Sequence, residues 1–208
     1  MVGFIYLSHS YRIRLKTYAM QADKRSAAYN MIPNLVWTIL FLGPAFLFSY
    51  NYLPLTPALI LLGSSLIPTF FPNKFFDTIQ LSRSPCFYER LGVKHINNFA
   101  QNGALINKFL RRKYPEFKNV RATRSSIVKR YKETYFFEKF HFSLFIFYIV
   151  ITIYSLITAH LLWTGILSLC NLLYNIYPNL LQQYVRVKLS SAHSRISTQK
   201  NPPPPPIT

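Results

Sequence analysis

The chain has 208 residues and a formal charge of +18, yet half of its residues are apolar and 17% are aromatic. A charge of that size suits nucleic acid or an anionic membrane surface. Four apolar stretches of near-spanning length exclude a soluble nucleic-acid binder and leave the membrane, so the fold class expected is all-α and integral to the membrane.

Residues 1–30 read as a basic N-terminal arm. The apolar run at 1–7 is short and has no basic stretch before it, so no cleavable signal is expected. The first span is predicted over 31–50, with a kink at Gly43-Pro44. A second covers 53–71, with Pro57 near its start and Pro68 near its end. Residues 72–140 interleave aromatic and aliphatic side chains with lysine and arginine. That pattern suits short helices lying in the headgroup layer and binding anionic inner-leaflet lipids. Spans three and four follow at 141–158 and 161–181, which makes two tight helical hairpins and a membrane domain over 31–189. Residues 190–208 read as a disordered polar tail that ends in the extended run Pro202–Pro206.

All 24 lysines and arginines fall in the arm, in 72–140 or from Arg186 onward, and none falls in either hairpin turn. The positive-inside rule then predicts a multi-pass protein of the cytoplasmic membrane with both termini cytoplasmic.

The fourth span carries a polar ladder. Asn171, Asn175, Asn179, Gln182 and Arg186 recur every three or four residues, which at roughly 100° per residue keeps them on one helical face. Amides in hydrocarbon face a partner or a cavity. Pro178 also denies the Tyr174 carbonyl its helical donor, so that carbonyl needs another partner or lines the same cavity. Where the basic stretch meets the third span, Glu138 and His141 lie three residues apart on one face. A carboxylate beside an imidazole fixes its tautomer, and such a histidine can take a proton from a hydroxyl. An interfacial salt bridge is the bland alternative.

No metal or cofactor is expected. A di-iron site needs a second Glu-x-x-His and two further carboxylates, and the chain has only six acidic residues. There is no zinc-binding pattern, no grouped glycines for a phosphate loop and no Gly-x-Ser-x-Gly elbow. Cys86 and Cys170 stand far apart and read as reduced thiols. Gly103 reads as a turn or helix boundary, and Asn107 as a cap or a binding residue.

Taken together, Val93-Lys94, Gly103-x-x-x-Asn107, Thr134-x-x-x-Glu138-x-x-His141, Asn175 and Gln182-x-Tyr184-x-Arg186-x-Lys188 resemble the small integral-membrane glycosyl-diaponeurosporenoate acyltransferases of staphyloxanthin-type carotenoid synthesis. The resemblance spans about 87–189. It departs at His95-Ile96-Asn97, where the family tends to carry Trp-Lys. It implies transfer of a fatty acyl group to a hydroxyl of a glycosylated isoprenoid, with Glu138 and His141 catalytic and with Gly103, Asn107 and Tyr184 among the substrate-binding positions.

The function expected is therefore O-acyl transfer at the membrane. His141 would be the general base, oriented by Glu138. Asn171, Asn175 and Gln182 would meet sugar hydroxyls or the developing oxyanion, and Arg186 would hold an anionic donor such as acyl-CoA. The partners are then a glycosylated isoprenoid or other membrane lipid as acceptor, the acyl donor and anionic lipids, with no nucleic acid. The alternative is a non-catalytic lipid-binding or assembly subunit whose amides bond to a partner helix.

Overall fold

The computed structural model describes Met31, residues 35–94 and residues 124–200, the side chains of 124–126 and 191–200 apart. The basic arm 1–30, much of the expected interfacial segment with Gly103 and Asn107, and the proline run lie outside the described residues. Residues 37–96 and 122–208 form one compact unit; of the other unit, 1–36 with 97–121, only Met31, Leu35 and Val36 are described. Among the described residues the elements are helical and no strand occurs.

Helix α1, Leu35–Tyr52, continues through Gly43-Pro44. In that turn the Tyr148 hydroxyl donates to the Phe41 carbonyl. After Leu53-Pro54 comes α2, Leu55–Ser65, which gives way to a 3₁₀ turn, Ile67–Phe70, that has Pro68 near its start. Two short helices follow, α3 over Asn73–Thr78 and α4 over Pro85–Arg90, introduced by Pro72 and Pro85 at positions where a helix tolerates proline.

Helix α5 runs from Arg124 to Ile157. This corrects the expected boundary at 140, because residues 124–140 are the first turns of the same helix as the third span. The reason is visible in the sequence, where no glycine or proline occurs from 116 to 164. The turn after α5 is a Schellman motif: Ala159 stands at φ 59°, His160 N donates to Ser155 O at 2.9 Å and Ala159 N to Leu156 O at 3.1 Å. The chain returns as α6, Leu161–Asn171, a π-helical turn, Leu172–Ile176, and α7, Tyr177–Lys200. Helix α7 extends past residue 190, into the stretch expected as tail; from 179 to 201 the sequence offers nothing to stop it.

Among the described residues two helices are long and apolar enough to cross a membrane, Leu35–Tyr52 and Ile127–Ile157, not the four expected. The second expected span is cut short by its prolines, and its apolar helix reaches only from Leu55 to Phe70. The fourth is diluted by the asparagines of the ladder.

The core is shared by α1, α5 and α6: Phe41, Ala45 and Phe48 pack against Tyr148, Ile151, Leu167 and Cys170. Polar bonds pin the same contacts. Thr38 Oγ1 lies 3.1 Å from the Tyr174 hydroxyl, and the Tyr154 hydroxyl donates to Tyr52 O at 3.1 Å. Outside the core, Phe70, Ile157, Leu161 and Leu162 are exposed, as lipid-facing side chains would be.

Candidate functional site

Two polar clusters lie between α5 and the returning run. The first is a clasp around Arg186, which is 2% exposed, and Glu138, which is 1% exposed. Arg186 Nη1 donates to Glu138 Oε2, Nη2 to the Phe76 carbonyl at 3.3 Å and Nε to Gln80 Oε1 at 3.1 Å. Glu138 Oε1 accepts from Gln183 Nε2 at 2.8 Å. The guanidinium also stacks 4.4 Å from the Tyr135 ring, whose hydroxyl donates to Asp77 at 2.6 Å. A buried ion pair is tolerable only when its other polar atoms are met, and here each guanidinium nitrogen and each carboxylate oxygen has a partner.

The clasp reaches further through Gln183 Oε1, which accepts from Leu81 N at 3.2 Å and lies 3.1 Å from the buried Tyr88 hydroxyl. Burial pushes the Tyr88 hydroxyl above the ordinary range for a phenol. A second tie fixes α4 to α7. The Tyr184 hydroxyl donates to Glu89 at 2.7 Å, and Lys188 Nζ stands 3.3 Å from the same carboxylate. The Tyr184 bond and then Lys188 hold Glu89 below the ordinary carboxylate range. Thus α3, α4 and the segment between them are fastened to α5 and α7 by side-chain hydrogen bonds and ion pairs.

The second cluster lies one helical turn along α5. The His141 ring meets the Tyr174 ring edge-on, with centroids 5.6 Å apart, and sits beside the Tyr174 backbone and the Asn175 side chain. None of these completes a hydrogen bond to Nδ1, which is buried without a partner. Asn175 is fully buried; its Nδ2 donates to Asn171 Oδ1 at 2.9 Å, and its own Oδ1 is unpaired. Asn179 Oδ1, one turn on, is also buried and unpaired. Asn171 Nδ2 reaches toward Phe145 O at 3.5 Å.

Several expected roles change. Both oxygens of Glu138 are taken by Arg186 and Gln183, so the carboxylate does not orient His141. Arg186 is buried and each of its guanidinium nitrogens already has a partner, so it is not free to hold an anionic donor. Gln182 is replaced in the network by Gln183, and Tyr184 serves Glu89. A π turn at Leu172–Ile176 lengthens the local repeat; beyond it Gln183 rather than Gln182 meets Glu138, while Asn179 and Arg186 stay on the seam. Asn171 and Asn175, before and within that turn, keep the places the ladder gave them. Gln80, Asp77 and Tyr135 were missed because a contact between residues far apart in sequence leaves no local periodic signal. Among the described residues no group of His, Cys, Asp or Glu is arranged to hold a metal ion.

Among the described residues the chain is thus all-helical, with two candidate membrane helices and a buried polar seam between α5 and the returning run of α6 and α7. The model of the glycosyl-4,4'-diaponeurosporenoate acyltransferase family matches residues 72–195, more than half of the chain, and the chain belongs to that family. No curated protein and no solved structure matches it. The matched region holds both polar clusters, whereas α1 and α2 lie before it.

Proposed function

We propose that this protein is a membrane-embedded O-acyltransferase that moves a fatty acyl group from a thioester donor to a hydroxyl of a glycosylated isoprenoid lipid. Family membership supports acyl transfer in carotenoid synthesis. The observation that carries the acceptor class is the row of unpaired atoms at His141 Nδ1, Asn175 Oδ1 and Asn179 Oδ1. Two are amide oxygens, which call for hydrogen-bond donors, and the third is an imidazole nitrogen, which accepts a donor when the proton sits on the other ring nitrogen. The hydroxyls of a sugar headgroup supply several donors on one face, and an unpaired buried acceptor costs about 1–3 kcal/mol until it is met.

In this mechanism His141 takes the proton of the reacting hydroxyl as its oxygen attacks the thioester carbon. The new C–O bond forms, the C–S bond breaks, and the proton passes from His141 to the leaving thiolate. Asn175 and Asn179 orient the sugar. Glu138, Arg186 and Gln183 are positioning residues that hold α7 against α5 and so set the distance from His141 to Asn175. The seam would lie under the cytoplasmic headgroups, with both termini on that side and with the basic stretch within 72–140 on anionic lipid.

The test is acyl transfer in membranes from labelled acyl-CoA to a glycosylated lipid extract. His141→Ala is expected to lower kcat by about 10²–10⁴-fold, as for loss of a general base, with the amount of folded protein unchanged. Turnover unaffected by His141→Ala would refute this mechanism.

A further inference from the structure

Asn171 belongs to two features at once. Its Oδ1 receives the Asn175 amide at the head of the acceptor row, and its side chain also lines an open groove of about 310 Å³ between α5 and α6. The α5 wall of that groove is Phe145, Ile149, Thr152 and Ile153. These residues are spaced four, three and one apart, so they form a single stripe on one helical face. The stripe runs roughly 12 Å along the helix and begins about 6 Å past His141. The groove therefore leads from the candidate site toward the turn at Thr158–His160, along the direction in which α5 would cross a bilayer.

The lining is apolar apart from Ser168, Asn171 and Thr152, the last with a buried hydroxyl that has no partner. We infer that this groove seats the acyl chain of the donor, with its thioester at the Asn171 end and its methyl end pointing to the turn. The inference rests on the acyltransferase function proposed above. Two features select a saturated chain over the acceptor's polyene. The groove is short, and it is open along one side; a flexible chain can follow it and bend out, whereas a rigid conjugated rod needs a straight path of bilayer length. The connection at Asn171 supplies the second requirement, since the end of the bound chain must lie within reach of His141.

The experiment uses the full chain in lipid vesicles, with a photoreactive long-chain acyl-CoA as probe. Crosslinks are expected in peptides covering 145–153 and 168–176, and excess unlabelled long-chain acyl-CoA should compete them away. Ser168 and Ile153 are exposed, so bulk there leaves the core intact. Ser168→Phe should reduce this labelling about tenfold and lower the long-chain to short-chain ratio of kcat/KM by a similar factor, with short-chain turnover retained. Ile153→Trp is the second variant and should move the ratio the same way.

Groove labelling in a protein that transfers nothing would sink the acyltransferase function and leave the groove as a chain-binding site. Active enzyme whose crosslinks lie elsewhere, and whose chain-length profile both substitutions leave unmoved, would overturn the groove and keep the enzyme. Equal labelling by a photoreactive phospholipid that acyl-CoA does not displace would make the groove part of the ordinary lipid boundary, and would also overturn the inference.

Discussion

At the scale of single residues, the deciding pair is Glu138 with Arg186. Removing one member strands a buried charge, which costs about 3–5 kcal/mol, whereas removing both together costs far less. Glu138→Gln should therefore lower the midpoint of denaturation in mild detergent sharply. Adding Arg186→Met should recover most of that loss together with most of the activity. His141→Ala should not be rescued by any change in the clasp. A catalytic carboxylate would behave otherwise, because the double variant would regain stability and stay inactive. Glu89 offers a pH signature. Its folded pKa is depressed by Tyr184 and Lys188, so its contribution is present above the unfolded value of roughly 4.3 and is lost as pH falls through the folded one. Lys188 is shifted the other way, upward, chiefly by Tyr184, so its share persists below its unfolded value and fades only as pH rises through the folded one. The difference in thermal midpoint between wild type and Glu89→Gln should thus be steady near neutrality and shrink as pH falls below the unfolded carboxylate value and through the lower folded one. A difference that is independent of pH would mean the tie between α4 and α7 contributes nothing through charge.

At the scale of elements, the π turn decides which amide faces the seam. A regular helix would carry the ladder from Asn171 through Asn179 to Gln182; one extra residue at Leu172–Ile176 turns Gln182 aside and brings Gln183 onto Glu138. Gln183→Ala should then cost about 1–3 kcal/mol by leaving Glu138 Oε1 short of a donor, while Gln182→Ala should stay within about 0.5 kcal/mol of wild type. Denaturation of the two variants side by side checks this, and equal costs would contradict the shifted register. The sequence did disclose that a polar face exists here, because asparagine every fourth residue in an apolar run has few other uses. It also held a sign of the disturbance in Pro178, but not which way the register moves. Periodicity assumes a fixed repeat, and one inserted residue is enough to exchange Gln182 for its neighbour Gln183 while Asn179 and Arg186 stay on the seam. The Glu138–His141 pairing failed for a related reason. Spacing along one helix reveals shared faces, but not a stronger partner such as Arg186 arriving from another helix. The turn between α5 and α6 was readable as a short connection, though not its strained Ala159. Ala159→Gly should stabilise the hairpin by about 1 kcal/mol, since glycine adopts the left-handed conformation without penalty.

At the scale of the molecule, the question is how many segments cross the bilayer. Glu138 lies roughly 28 Å along α5 from Ile157, close to the thickness of a hydrocarbon core. If α5 crosses the bilayer between these residues, the rest of the long helix, with Lys129, Arg130, Lys132 and Glu133, extends beyond the lipid boundary. Arg186 must come back to Glu138, so the run from Leu161 must recover the same depth whether or not its composition meets a hydropathy threshold. The same holds for Leu55–Phe70, which leads from the Tyr52 end to the Phe76, Asp77 and Gln80 side of the clasp. Leu55–Phe70 falls short of a span by length, although it is apolar. If α5 crosses, its two ends lie on opposite faces, and Cys86, which is exposed at the clasp end, is a native reporter of one of them. A Cys86→Ser, Thr158→Cys chain reports the other. A membrane-impermeant maleimide should label Cys86 only in inside-out vesicles and the cysteine at 158 only in right-side-out vesicles, with buried Cys170 silent in both. Labelling of both positions from one face would mean that α5 lies along the membrane. The acyl groove would then lose its alignment with the lipid chains, and the paired hairpins would be a peripheral bundle.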